Sequence, residues 1–254
     1  MTKKIGVYVG PSLPLGLISI ALVLLVWHLI VATGNIRPLF LPSPAATARA
    51  LWRLLMSGLF LKALLISFGR IAIATIIAVC IGAMLGLLTG ISRRAESALA
   101  PITQPLRYLP ITALIPLFIL WFGVGEMMKI SFLVFGIVFY FIPLVSNAIR
   151  STPKEYIEAA KSFGAKAGTV IRRVYWPYAL PKILDGMIII NGIGWTYVIL
   201  AEIINAREGL GYLISIAGRL QKSDEVFAGL ILITAVAIGS DRLLYYIRRK
   251  YFFW

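Results

Sequence analysis

The first candidates for chemistry are ionisable side chains that interrupt long apolar runs. Arg70 stands in such a run, the stretch 64–91. A charged group is costly to keep in an apolar segment, so it is a functional candidate by default. Its planar guanidinium suits bidentate recognition of an oxyanion. The alternative is an arginine that reaches a polar surface or sits in an ion pair. Arg70 is therefore predicted to attract an oxyanion or to be ion-paired.

A second polar group lies in the stretch 183–205. It comprises Asn191, Trp195 and Thr196, beside Gly192 and Gly194. Glycines permit close approach of helices in a membrane. The polar side chains next to them are predicted to line a path for a solute. Helix packing explains the same residues equally well, so both interpretations stay open.

Two further charged residues have structural interpretations. Glu202 lies near the end of the same stretch. Its carboxylate would repel an anion, so it is predicted to pair with an arginine or to cap a loop. Arg107 lies towards the start of the stretch 101–122 and is predicted to snorkel to the membrane surface.

Four prolines punctuate the stretch 101–122, and Pro110 is the one nearest its middle. Proline leaves backbone carbonyls without partners, which lipid cannot satisfy. The segment is therefore predicted to face other helices or a polar cavity, with Pro110 at a translocation path.

Several kinds of chemistry are excluded. The chain has one histidine, His28, and no His, Cys or carboxylate cluster for a metal or a hydrolase triad. No Gly-x4-Gly-Lys-Ser/Thr phosphate loop occurs, so this chain is predicted not to bind ATP. It is predicted to be no enzyme and to bind no cofactor. The net charge of +15 does not indicate nucleic-acid binding, because the high mean hydropathy indicates a membrane protein.

Composition identifies the class of protein. Of the 254 residues, 60% are hydrophobic and 14% charged, with a mean hydropathy of +0.91. A soluble domain carries about a quarter charged residues. Several runs reach the ~20 apolar residues that cross a bilayer. The sequence predicts an all-α, polytopic membrane protein of about six spans, at 13–33, 64–91, 101–122, 128–149, 183–205 and 226–246.

The charge distribution predicts the topology. Fifteen of the 25 Lys and Arg residues fall on the side that carries residues 150–182, and eight fall on the other. The positive-inside rule places the richer side, and both termini, in the cytoplasm. The predicted organisation is an N-terminal helix with an outer segment (1–62), a core domain (63–246) with a cytoplasmic loop (150–182), and a basic tail (247–254).

The outer segment contains a predicted amphipathic helix. Ser43 is placed to cap it and Pro44 to begin it. Trp52 and Arg53 suit a membrane surface. The helix is predicted to receive an external partner, or else to be a plain interfacial connector.

The loop 150–182 is an island of charge in an otherwise apolar chain. Thr152 and Glu155 have capping-box spacing around Pro153, which predicts a helix start. Gly164 can take the left-handed conformation that ends a helix. Pro177 and Pro181 are predicted to break the chain before the fifth span. A loop that only connects two spans does not need a defined helix start and end, so this loop is predicted to have a function of its own.

The same loop carries a family motif. Glu158-Ala159-Ala160, three residues, Gly164, nine residues, Val174, one residue and Trp176-Pro177 resemble the cytoplasmic EAA loop of ABC importer permeases, with Val and Trp at positions usually held by Ile and Leu. In that family the loop docks on an ATP-binding subunit. The resemblance implies a type I, MetI-like permease fold. It also implies that Glu158, Ala159, Ala160 and Gly164 are the ATPase-coupling residues.

Further segments resemble the nitrate, sulfonate and taurine branch of these permeases. They are 41–44, 110–123, 194–202 and 209–212. The branch implies import of a small oxyanion such as nitrate, a sulfonate, taurine or bicarbonate. A neutral pyrimidine-type compound is the alternative substrate.

The resemblance also implies the assembly. A homodimer of permeases in the inner membrane would work with two ATP-binding subunits, which hold ATP and Mg²⁺, and with an extracytoplasmic binding protein. Two rival classes remain: a secondary transporter and a membrane scaffold, both without an ATPase partner. Buried paired charges would favour the former.

Overall fold

The computed structural model describes residues 13–205 and 207–252, and regular structure in these ranges is helical, without strands. The helices are α1 (Leu13–Ala32), α2 (Pro44–Met56), α3 (Leu59–Ile91), α4 (Arg93–Leu106), α5 (Ile115–Phe122), α6 (Glu126–Arg150), α7 (Lys154–Ser162), α8 (Ala167–Val170), α9 (Trp176–Asn205), α10 (Leu210–Arg219) and α11 (Ser223–Tyr251). A 3₁₀ turn at Ile111–Leu114 precedes α5, and a π turn at Ile171–Tyr175 joins α8 to α9. The all-α prediction is confirmed. Residues 1–12 of the predicted N-terminal region and 253–254 of the predicted tail lie outside the described residues.

Within the described ranges, five helices are long and apolar enough to cross a bilayer, namely α1, α3, α6, α9 and α11. The third predicted span, 101–122, is not one continuous helix. α4 and the segment 111–122 pass the length and hydropathy test only together, as a bent pair that would make a sixth, broken span. α4 ends at Leu106, and the chain bends by 88° before the segment 111–122. Pro110 has an extended backbone there, and a proline disfavours helical geometry in the residue before it. The helix therefore breaks at this proline.

Three glycines of α3, spaced four residues apart, bring α3 and α6 into close contact. A Cβ added to Gly82, Gly86 or Gly90 would lie within 2.8 Å of side-chain carbon atoms of Phe141, Val145 or Ile149 of α6, respectively. Such small-residue spacing is the usual means of close helix packing in membranes. The residue numbers of the contacting pairs increase in the same direction along α3 and α6, so the two helices run parallel. The chain must therefore travel back about 30 Å, at 1.5 Å per helical residue, and the bent segment 92–125 makes that return.

α6 is the central helix of the bundle. Its apolar side chains pack against α3 on one side and α9 on another. The completely buried ones are Phe132, Leu133, Ile137, Phe141, Val145 and Ile149. A helix that is apolar on most of its circumference belongs inside a bundle. The packing of α3 and α9 against α6 sets the positions of the residues that these two helices carry.

α9 runs antiparallel to α6 and starts earlier than predicted. The predicted break at Pro177 and Pro181 was wrong, since the helical path continues from Ala167 to Ile204. The π turn directly precedes Trp176 and widens the helix where the Pro177 ring would otherwise meet a carbonyl. Pro181 lies inside α9 and is buried.

α11 packs against α9 and closes the bundle. Asn191 of α9 donates hydrogen bonds of 2.7 Å to Ser240 and Asp241, and Arg248 pairs with Asp185 at 3.0 Å. The two contacts show that α9 and α11 are antiparallel. α2 lies across the start of α11, where Arg53 pairs with Asp224 at 3.0 Å.

Candidate functional site

The structure has two regions with functional geometry, one at each end of the bundle. The end that carries residues 150–182 is called the loop end. The opposite end, where α3 and α6 begin and α9 finishes, is called the far end. Each sequence-predicted site residue lies at one of these ends or on the helices between them.

α7 is the exposed element of the loop end. Glu158 and Ala159 face solvent on it, and Ala160 is half-buried. Its end follows the prediction. Gly164 has φ of +77°, and its N–H and that of Ala165 bond to carbonyls of Lys161 and Ala160. This double hydrogen bond is the Schellman arrangement, which a left-handed glycine makes possible.

The start of α7 does not follow the prediction. The capping box of Thr152 and Glu155 was wrong, since α7 begins after Pro153 and no side-chain cap bond forms there within the described chain. Thr152 lies in the turn after α6, where its N–H bonds to the Ile149 carbonyl. Its side chain is 5% exposed and makes no cap bond to the first turn of α7.

Two aromatic side chains complete the exposed surface of the loop end. Phe163, between the last helical residue and Gly164, is 92% exposed, and Tyr156 is 57% exposed. Both rings are thus available for contact at this end of the molecule. Sequence reasoning missed Phe163, although its place directly before the helix-stopping glycine was a usable signal.

The far end is held by a buried ion-pair network. Arg70, 5% exposed, donates to Glu202 at 2.6 Å through Nη1. It binds Glu126 bidentately through Nε and Nη2, at 2.7 Å each. The fully buried Glu202 carboxylate also accepts from Ser67 Oγ and from the Gly211 N–H, both at 2.8 Å. The network therefore joins α3, α6, α9 and α10.

This network decides between the two interpretations of Arg70. Four of its five N–H groups are engaged, the fourth with the Glu208 carbonyl at 2.9 Å. The ion-paired alternative is the arrangement found, and Glu202 has the predicted arginine partner. A cavity of about 580 Å³ lies beside the network, lined also by Lys129 and Arg207. The sequence reading missed Ser67 and Glu126 as partners.

The remaining path candidates differ in exposure. Asn191 and Trp195 are buried, and both donate to Ser240 of α11. Thr196 is exposed, with its hydroxyl bonded to the Gly192 carbonyl, and Pro110 is exposed at the bend. Arg107 lies 5.7 and 5.9 Å from the ring centroids of Tyr108 and Tyr140. The Arg107 guanidinium therefore lies over these two tyrosine rings.

Comparison with known proteins gives the family. A profile described as Binding-protein-dependent transport system inner membrane component matches residues 78–252. The chain belongs to this family. The matched range begins within α3 and contains the whole of α6, α7 and α9. Membership of the ABC importer permeases, expected from the EAA motif, is confirmed, and with it a multi-span inner-membrane protein.

Two relatives align along most of the permease. A protein of Bacillus subtilis (strain 168), assigned as aliphatic sulfonates transport permease protein SsuC, is 34% identical over 94% of this chain and 87% of its own. The taurine transport system permease protein TauC of Escherichia coli (strain K12) is 34% identical over 86% of this chain and 82% of its own.

A solved structure shows the same fold. A chain of the MetNI methionine ABC transporter, in an inward-facing conformation, superposes with a TM-score of 0.69. It is 20% identical and covers 77% of this permease and 97% of that chain. The MetI-like permease fold is therefore confirmed.

Proposed function

We propose that this permease imports a small sulfonate, using α7 to couple two ATP-binding subunits to a pore formed by two permease copies. The observation that carries the coupling role is the exposed α7, which presents Glu158 and Ala159 on a helix with a fixed Schellman end. The loop end is then cytoplasmic, as the excess of Lys and Arg favours, and the far end meets an extracytoplasmic binding protein.

The docking surface of this proposal consists of Glu158, Ala159, Ala160, Phe163 and Gly164. Small residues allow the partner backbone to approach, and Phe163 supplies an aromatic anchor of the kind that dominates binding energy. ATP and Mg²⁺ belong to the partner subunit. Closure of the ATPase pair would move α7 and, through its packed attachment, the transmembrane helices as rigid bodies.

The substrate class rests on the relatives. The two permeases quoted above are named for aliphatic sulfonates and for taurine, and both align over at least four fifths of their own length. A sulfonate is the favoured oxyanion, ahead of nitrate and bicarbonate and of a neutral pyrimidine-type compound.

The path for the sulfonate stays a proposal. Thr196 and Pro110 are the exposed candidates. Asn191, Trp195 and Arg70 hold other helices, so they are expected to act on the path by positioning those helices. A secondary transporter would require buried paired charges, which the far end has. The exposed α7 nevertheless favours the ATPase-coupled class.

A reconstitution experiment tests the proposal. The permease and its ATP-binding subunit are co-purified and placed in proteoliposomes with the binding protein, and taurine uptake and ATP hydrolysis are measured together. Glu158→Lys and Gly164→Pro are expected to abolish stimulated hydrolysis and uptake. Lys166→Gln, an exposed charge in the same loop but beyond α7, is the matched control and is expected to retain both.

Two results would overturn the proposal. Uptake that continues without ATP indicates a secondary transporter, and a permease that never retains an ATPase indicates a scaffold. The substrate is tested separately by titrating the binding protein with taurine, nitrate and uracil. Selection of uracil would remove the sulfonate assignment and leave the coupling assignment intact.

A further inference from the structure

A cavity lies at the base of α7, between α7 and the corner where α3 meets α4. Its volume is about 360 Å³. The polar and charged residues that line it include Arg93, Glu96, Arg150, Thr152, Lys154 and Tyr175. Three elements of the bundle and the first turn of α7 therefore meet around one polar space.

The charges lining this cavity are mainly positive. Arg93, Arg150 and Lys154 stand against one carboxylate, Glu96. Arg150 binds that carboxylate at 2.6 Å and the Thr89 carbonyl at 2.7 Å. Glu96 is thus ion-paired with Arg150, whereas Arg93 and Lys154 are exposed and form no ion pair within the described chain.

The beginning of α7 adds amide donors to the cavity. α7 has nine residues, and in the described chain no side chain caps its first turn. The first amides of a helix have no intrahelical partner and carry the positive end of the helix dipole. Lys154 and Ile157 of this turn line the cavity, so the helix start adjoins it.

Thr152 provides an independent sign of a ligand. It is only 5% exposed and lines the cavity. Its Oγ1 has no hydrogen-bond partner among the residues described. A buried hydroxyl is ordinarily hydrogen-bonded, because leaving it unbonded is unfavourable. A ligand with an acceptor oxygen in the cavity would satisfy it.

We propose that this cavity binds a tetrahedral oxyanion, held by the Thr152 hydroxyl, the Arg93 guanidinium and the first amides of α7. The anion joins the base of α7 to α4 and to the end of α6, and so fixes the coupling helix on the bundle. The inference rests on the proposed function, since it assigns a regulatory ligand to the coupling loop. The same chemistry is found in free phosphate, sulfate or a sulfonate, and in the phosphate of an anionic lipid headgroup.

The test measures the unfolding temperature of the full-length permease, alone and with its ATP-binding subunits, in neutral detergent. One arm titrates inorganic phosphate, sulfate and taurine against chloride at constant ionic strength. The other compares nanodiscs of phosphatidylcholine with nanodiscs that also contain phosphatidylglycerol. A ligand that binds only the folded state raises the unfolding temperature in a saturable way.

Thr152→Val and Arg93→Gln are the decisive variants. Thr152→Val keeps the shape and removes the hydroxyl, so it is expected to weaken anion binding about tenfold, as loss of one hydrogen bond to a charged group does. Without added anion it is expected to be as stable as the wild type, or more so. Arg172→Gln, an exposed cation of the π turn that does not line the cavity, is the control and is expected to bind as the wild type does.

Each outcome decides the proposal. A Thr152-dependent response to free anions supports a soluble ligand, and one confined to phosphatidylglycerol supports a lipid headgroup. No response in either arm, or an equal response in both variants and the wild type, overturns the site. Because binding is also read on the permease alone, failure to retain an ATPase refutes the coupling role without affecting this readout.

Discussion

The far end and the loop end of the bundle use charge in opposite ways. At the far end, Arg70 and Glu202 are buried and bonded to each other, so their charges fix four helices in place. At the loop end, the charged side chains of α7 face solvent, and the helix depends on backbone hydrogen bonds for its shape. Buried charge builds the frame at the far end, whereas the loop end presents exposed charge and an exposed aromatic ring, the surface proposed above to dock on a partner.

The largest effect on stability is expected from breaking the far-end network. Arg70→Leu leaves the fully buried Glu202 carboxylate without its cation, and removal of one partner of a buried pair costs about 3–5 kcal/mol. Unfolding of the purified permease in mild detergent measures it. The double variant Arg70→Leu with Glu202→Leu is expected to recover most of the loss.

A surface ion pair at the same end is the control for this prediction. Lys62 pairs with Glu208 at 3.0 Å, with 69% of its side chain exposed. Lys62→Gln is expected to change stability by less than about 1 kcal/mol. If Lys62→Gln and Arg70→Leu lowered the free energy of unfolding equally, the buried network would not be the main source of stability at the far end.

A smaller loss is expected where α3 meets α6. In Gly86→Ala the new Cβ would lie 2.6 Å from Val145 Cβ and 2.8 Å from the Ile142 carbonyl oxygen. Overpacking of this kind costs about 1–3 kcal/mol. Gly192→Ala is the matched helical control, since a Cβ there meets no heavy atom of the described residues within 4 Å. It is expected to be neutral or mildly stabilising, and the same detergent unfolding assay separates the two.

The smallest stability change is expected at the loop end. Phe163→Ala removes a side chain that is 92% exposed, so the unfolding temperature should stay within error of the wild type. Its affinity for the ATP-binding subunit should fall by about tenfold, as for loss of an aromatic anchor. Surface plasmon resonance with the isolated ATP-binding subunit measures this. A variant that lost stability but kept affinity would reverse the contrast between the two ends.

The sequence predicted the helical class, five of the spans and the glycine end of α7 correctly. These features depend on local causes: apolar length and the left-handed preference of one glycine. The capping box and the proline break failed, because neighbouring elements intervened. Thr152 is drawn into the bundle after α6, and a π turn accommodates Pro177.

The pairing of Glu202 with an arginine was predictable in kind, since a buried carboxylate needs a cation. Its other partners were not. Glu126 reaches Arg70 because α3 and α6 run parallel in close contact, over glycines whose significance appears only when both helices are seen together. Ser67 joins because the end of α9 brings Glu202 against α3. That register follows from packing of side chains far apart in the chain.

By itself, the sequence determined that this chain lies in a membrane and carries a loop that resembles the EAA motif, because hydropathy and spacing act along the chain. Only the tertiary structure decided that Arg70 is bound by two carboxylates and that Thr152 is among the residues that line a basic cavity at the base of α7. Those outcomes depend on which side chains meet across helices. Burial then determines whether a charge fixes the frame or remains available to a partner.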